Sequence, residues 1–86
     1  SLQGIISEAE CRTNRGRIDA VVGCGNWLYI VEFKLDKTPE IALQQIRDNE
    51  YFVRFRDCGK KIVLIGANVD FENRQLSGWV HEELNP

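Results

Sequence analysis

The sequence predicts an α+β fold: a mostly antiparallel sheet in β-β-β-α-β-β order with one main helix laid against it. Three observations lead there. Three strand-like segments follow one another, separated by glycine-containing turns. A later stretch carries apolar residues at helical spacing behind a helix-start signal. A continuous apolar run of strand length comes next, the pattern of a strand buried on both faces and reached through a crossover helix.

Residues 3–13 read as the first strand, and "NRGR" (residues 14–17) as a turn. "RIDAVV" (Arg17 to Val22) is the second strand, and "GCGN" (Gly23 to Asn26) has hairpin-loop chemistry. Trp27 to Leu35 is the third strand, completing an antiparallel meander. Thr38 is placed to cap a helix, Pro39 suits its first position, and Glu40 suits its positive end. Ala42, Ile46, Asn49 and Val53 recur at helical spacing, with Leu43 and Phe52 widening the stripe. Gly59 stands where a terminating glycine belongs, so the helix is predicted over about residues 39–57. "KIVLIGANVD" is the buried strand, "FENRQ" a turn region, and "LSGWVHEEL" a last, edge strand.

Eighty-six residues suffice for one domain and one core. The chain has no methionine, even at position 1, and enters directly into apolar residues, so it reads as a piece of a longer protein. At 43% apolar and 28% charged residues the composition is that of an ordinary globular protein. No apolar run approaches a membrane span, and no signal-peptide pattern opens the chain. Cys11, Cys24 and Cys58 are odd in number and scattered, with no C-x-x-C pair, which argues against a disulfide framework or a structural zinc. Three reduced thiols and a cytoplasmic location are the expectation. A net charge of −2 argues against strong autonomous DNA binding, which usually goes with a basic excess.

The segment "WLYIVEFKLD" poses the chemical problem, because an apolar strand ends in Glu32 and Lys34. Alternation puts Leu28, Ile30, Glu32 and Lys34 on one face, and Asp19 and Val21 on one face of the second strand. Counting outward from Cys24 sets Asp19 opposite Tyr29, three residues short of Glu32. On that register, a bulge at a glycine or a parallel twist of the strand ends is needed to bring the carboxylates together.

"GRIDAVV" followed by "YIVEFKLD" resembles the PD-(D/E)XK nuclease superfamily, the restriction-endonuclease-like fold. "ALQQIRDNEY", "GKKIVLIGANVD" and "WVHEEL" extend the resemblance to a bacterial branch that follows an ATPase-like domain in a longer chain. A bare D…E-x-K is a weak signal; the ordered set is stronger. The resemblance implies Mg²⁺-dependent hydrolysis of DNA phosphodiesters, with Mn²⁺ as an alternative ion. Asp19 matches the motif aspartate and metal ligand, Glu32 the second ligand, and Lys34 the charge-stabilising base. Gln45 matches a helix glutamine facing the metal site, Glu10 a recurrent acidic position at its rim, and Tyr51, more weakly, a tyrosine partner of the glutamine. The family's core begins with a helix before the first strand, and this chain starts almost at that strand. One sheet face would then lack cover and favour self-association.

Taken singly, the same residues have plainer readings. Glu32 and Lys34 can be a solvated pair, Asp19 a turn-closing residue, Gln45 a polar helix position and Glu10 a surface acid. His81 has no companion ligand and reads as an exposed edge residue. Trp27 and Trp79 read as sheet packing. A rival function from a different class is a non-catalytic binding or assembly module of a larger ATPase-type protein.

Overall fold

The computed structural model describes the backbone of residues 5–13 and 16–84 and the side chains of residues 19–84. The chain forms β1 (Ile5–Thr13), β2 (Gly16–Cys24), β3 (Trp27–Leu35), α1 (Pro39–Asp48), a 3-10 turn at Val53–Phe55, β4 (Lys61–Asp70) and β5 (Gln75–Glu83). The predicted order and fold class hold. The strands make one sheet in the order β1-β2-β3-β4-β5. Among the described residues only the β3–β4 pair is parallel, and it is the pair bridged by α1. Among the described residues no helix is long and apolar enough to cross a membrane.

The β2–β3 hairpin turns on Gly25 and Asn26 alone, with Cys24 paired to Trp27. Gly25 takes φ +59° at the first central position, which two-residue hairpins fill with glycine. The centre of the turn therefore lies beyond Cys24, the pivot assumed from sequence. Every pairing shifts by three residues as a result.

α1 starts as the sequence predicts. Thr38 caps it, its hydroxyl accepting the Ile41 N–H at 3.4 Å, with Pro39 in the first turn. It ends nine residues early. Asn49 is the C-cap, Glu50 adopts φ +51°, and the Tyr51 N–H returns to the Ile46 carbonyl at 3.2 Å. Together with the Glu50 N–H on the Arg47 carbonyl (3.1 Å), these bonds make a Schellman-type stop. Helical spacing beyond residue 48 was thus misleading: Val53 is exposed, and Gly59 (φ +80°) closes the later turn rather than α1.

The core lies between α1 and one sheet face. Val21, Leu28, Ile30, Ile62 and Leu64 meet Ile46, Tyr51 and Phe52, and Ile30, Ile46 and Leu64 are fully buried. Gly66 lets the helix come this close. A Cβ there would lie 2.3 Å from the Pro39 carbonyl oxygen and 2.4 Å from the Leu43 nitrogen. At β5 the contact is polar, Arg47 pairing with Glu82. Among the described residues no helix or strand lies on the other sheet face, where Phe33 and Trp79 stand exposed and Trp27, Tyr29 and Ile65 half-buried. Trp27 and Trp79 thus lie on the sheet, as read from sequence, but on its open face, Trp27 half-buried and stacked on Tyr29 and Trp79 exposed. Cys24 and Cys58 are free thiols and exposed.

Candidate active site

The apolar row of β3 carries its burial onto a charge. Leu28 and Ile30 are buried on the helix face, and Glu32, next on that face, is only 5% exposed. A carboxylate so enclosed needs hydrogen-bond donors around it. Gln45, one helical turn from the fully buried Ala42 and beside Ile46, supplies one. Its Nε2 donates to Glu32 Oε2 at 3.1 Å. Lys34, two residues on and on the same face, holds its ammonium 4.0 Å from that oxygen and keeps about a quarter of its side chain in contact with solvent.

Asp19 comes from the neighbouring strand. The β2–β3 pairs run from Cys24↔Trp27 to Ala20↔Val31, so one step further Asp19 falls level with Glu32. Residues directly opposite across a strand pair share a face, which brings Asp19, Glu32 and Lys34 to one side of the sheet. The three-residue gap expected from sequence does not exist, and no bulge is needed. At this step the regular pairing stops. A side chain takes over, Asp19 Oδ2 accepting the Phe33 N–H at 2.8 Å. That bond pins the aspartate to the backbone between Glu32 and Lys34, leaving Asp19 half-buried.

On the far side of β2, Ala9↔Ala20 and Cys11↔Ile18 bracket a position that sets the Glu10 backbone level with Asp19. The side chain of Glu10 lies outside the described residues. Tyr51 does reach the site, its hydroxyl accepting from Gln45 Nε2 at 3.4 Å.

Three contributors escaped the sequence reading. Asn49 donates from Nδ2 to the Tyr51 hydroxyl at 3.3 Å and to the Gln45 carbonyl at 3.1 Å. Asn68, paired with Lys34, accepts the Lys37 N–H at 2.7 Å and donates to Ser77, tying together the loops at this end of the sheet. Gly66, paired with Glu32, sets the height of α1 above the carboxylate. Only Gly66 had a local signal, since a glycine inside an apolar strand marks a close backbone approach.

Other candidates fall elsewhere. His81 is exposed on β5, its ring 5.5 Å from that of Trp79, on the open face. Arg56, Lys60 and Lys61 gather around Ile62 and Leu84 at the opposite end of the sheet, with Asp57 and Glu83 among them. The Arg54 and Arg56 guanidinium groups lie over the Phe55 and Phe52 rings.

The donor set suits a hard divalent cation. Mg²⁺ takes oxygen ligands, is typically held by one or two carboxylates, and keeps several waters. Asp19 and Glu32 provide two carboxylates from adjacent strands on one face. No group of three or more His, Cys, Asp or Glu side chains converges among the described residues, so the described carboxylates of this site are these two.

A model of the PD-(D/E)XK nuclease superfamily matches residues 2–79. A protein from Azotobacter chroococcum mcd 1, named as an uncharacterized protein in the vnfD 5′ region, is 36% identical over 83 residues. The match takes in 94% of this chain and 16% of that relative's length. No solved structure matches the chain.

Proposed function

Because this chain belongs to the PD-(D/E)XK nuclease superfamily, we propose that it is a divalent-metal-dependent nuclease domain hydrolysing phosphodiester bonds of DNA. One observation carries the reading: Asp19 and Glu32 stand level on adjacent strands, on the face that also presents Lys34. Asp19 and Glu32 would hold Mg²⁺ or Mn²⁺, with Glu10 a further ligand from β1. A cation held there supplies a more acidic water and offsets charge on the scissile phosphate.

Everything else falls to the chain's own residues. Burial and the Gln45 amide fix Glu32 in one orientation, and the Phe33 N–H fixes Asp19. The two ligands are thus organised before an ion arrives, and little side-chain freedom is lost on binding. Lys34 offers a permanent positive charge and three donors. It is placed to stabilise negative charge growing on phosphate oxygens in the transition state. The basic cluster of Arg56, Lys60 and Lys61 lies at the opposite end of the sheet from this site, and the bulk of a DNA-binding surface is expected from outside these 86 residues. The chain spans 16% of its A. chroococcum relative; the ATPase-like neighbouring domain that the motif resemblance implies belongs to the same proposal.

The test is calorimetric titration with Mn²⁺ joined to plasmid cleavage by the longer protein. Binding in the wild type, its loss in Glu32→Ala, and a fall of about 10²–10³-fold in kcat for Lys34→Ala support the proposal. Mn²⁺ binding that survives Glu32→Ala unchanged overturns it.

A further inference from the structure

The early stop of α1 has a consequence for the site. Glu50 holds φ +51°, a conformation that costs a non-glycine residue about 1 kcal/mol. The return bond from the Tyr51 N–H to Ile46 folds the chain back under the helix, and Tyr51 becomes 96% buried beside Ile46. On a continued helix Tyr51 would sit about 120° around the axis from Gln45, at about 100° per residue, and could not reach it. With the stop, its hydroxyl accepts from both Gln45 Nε2 and Asn49 Nδ2.

The two hydrogens of the Gln45 amide then have separate acceptors, Glu32 Oε2 at 3.1 Å and the Tyr51 hydroxyl at 3.4 Å. Rotating that amide end for end would turn its carbonyl oxygen onto the carboxylate. Asn49 fastens the arrangement twice, through the Tyr51 hydroxyl and through the main-chain carbonyl of Gln45 itself. The described hydrogen bonds of the Asn49 side chain run to Gln45 and Tyr51, and these link it to the site.

We propose that Asn49 and Tyr51 are positioning residues: the helix stop brings them together to hold the Gln45 amide against Glu32, and through it set the geometry of the metal-ligating carboxylate. The proposal rests on the reading of Glu32 as a ligand, and the experiment has an arm independent of that reading. In this chain, the side-chain amide signals of Gln45 are identified by NMR from their disappearance in Gln45→Ala. Both protons are expected to exchange slowly in the wild type. Tyr51→Phe keeps the ring in the core and removes only the hydroxyl, and Asn49→Ala removes the second donor. Each is expected to speed exchange of the Gln45 side-chain protons while the backbone amides of Ile46 in α1 and Leu64 in β4 stay protected. Mn²⁺ titration is the second arm. Tyr51→Phe is expected to weaken binding about 10-fold in the wild-type background, as loss of support around a ligand does. In the Gln45→Ala background it is expected to have less than about twofold effect, because the two residues act in series. Unchanged Gln45 signals, or equal weakening in both backgrounds, overturns the positioning role. If the wild type binds no Mn²⁺, the ligand reading fails and the amide signals alone decide this one.

Discussion

The two faces of the sheet are built from the same strands, yet they carry different physics. On the helix face Leu28, Ile30 and Leu64 vanish beneath α1, and the row ends in Glu32, buried and hydrogen-bonded. On the opposite face Trp27, Tyr29, Ile65 and Trp79 form a broad apolar surface that nothing among the described residues covers. Apolar character alone therefore does not identify the working side of this molecule. Under the proposed function the working side is the one where close packing ends in fixed charge, because only a packed environment holds ionic groups in one geometry.

Substitutions can break that contrast, and the largest effect is expected in the core. Leu64→Ala removes a fully buried side chain between sheet and helix and should cost about 4 kcal/mol, read from urea unfolding. For a domain this small, such a loss approaches the whole margin of stability. A methyl group added at Gly66 meets backbone atoms that cannot rotate away. Gly66→Ala is expected to cost about 3 kcal/mol and to displace α1, separating Gln45 from Glu32. Its diagnostic is loss of the Gln45 side-chain amide protection together with the fall in stability. On the open face the expectation reverses. Trp79→Ser should change stability by no more than about 0.5 kcal/mol. Sedimentation at high concentration then tests the self-association expected of an uncovered apolar face, with the variant moving toward monomer.

The smallest effect belongs to neither face but to the β4–β5 turn. There the side-chain amide and N–H of Asn73 hold the Asp70 carboxyl below its ordinary range. A lowered folded-state value means that the contribution is present above the unfolded carboxylate value of about 3.9 and is lost as pH falls through the lower one. Asp70→Ala should thus lower the urea midpoint slightly at pH 6, and the difference should shrink below about pH 4. A difference that grows in acid would contradict the assignment.

Much of this contrast was legible in the chain itself. The limits of β3 and β4 coincide with the apolar runs "WLYIVEFKL" and "KIVLIGANVD", because a strand's burial is written residue by residue. Thr38, Pro39 and Glu40 announced the start of α1 because capping is a matter of neighbours a few residues apart. Alternation alone put Glu32 and Lys34 on one side. The stop of α1 was another matter. Glu50 has no preference for the left-handed region, and what outweighs its cost is the burial of Tyr51 and Phe52 against Ile46, Ile30 and Leu64. No window of local sequence contains those contacts.

By itself, then, the sequence determined which segments are strands, where the helix begins, and which residue types stand at the end of the apolar row. Each of these depends on interactions within a turn or two of chain. Tertiary structure decided that Asp19 lies level with Glu32, that α1 ends at Asp48, and that Asn49 and Tyr51 close around Gln45. Register, close approach at Gly66 and burial of a returning turn are set by partners distant in sequence, where the free energy belongs to the assembled packing and to no single segment.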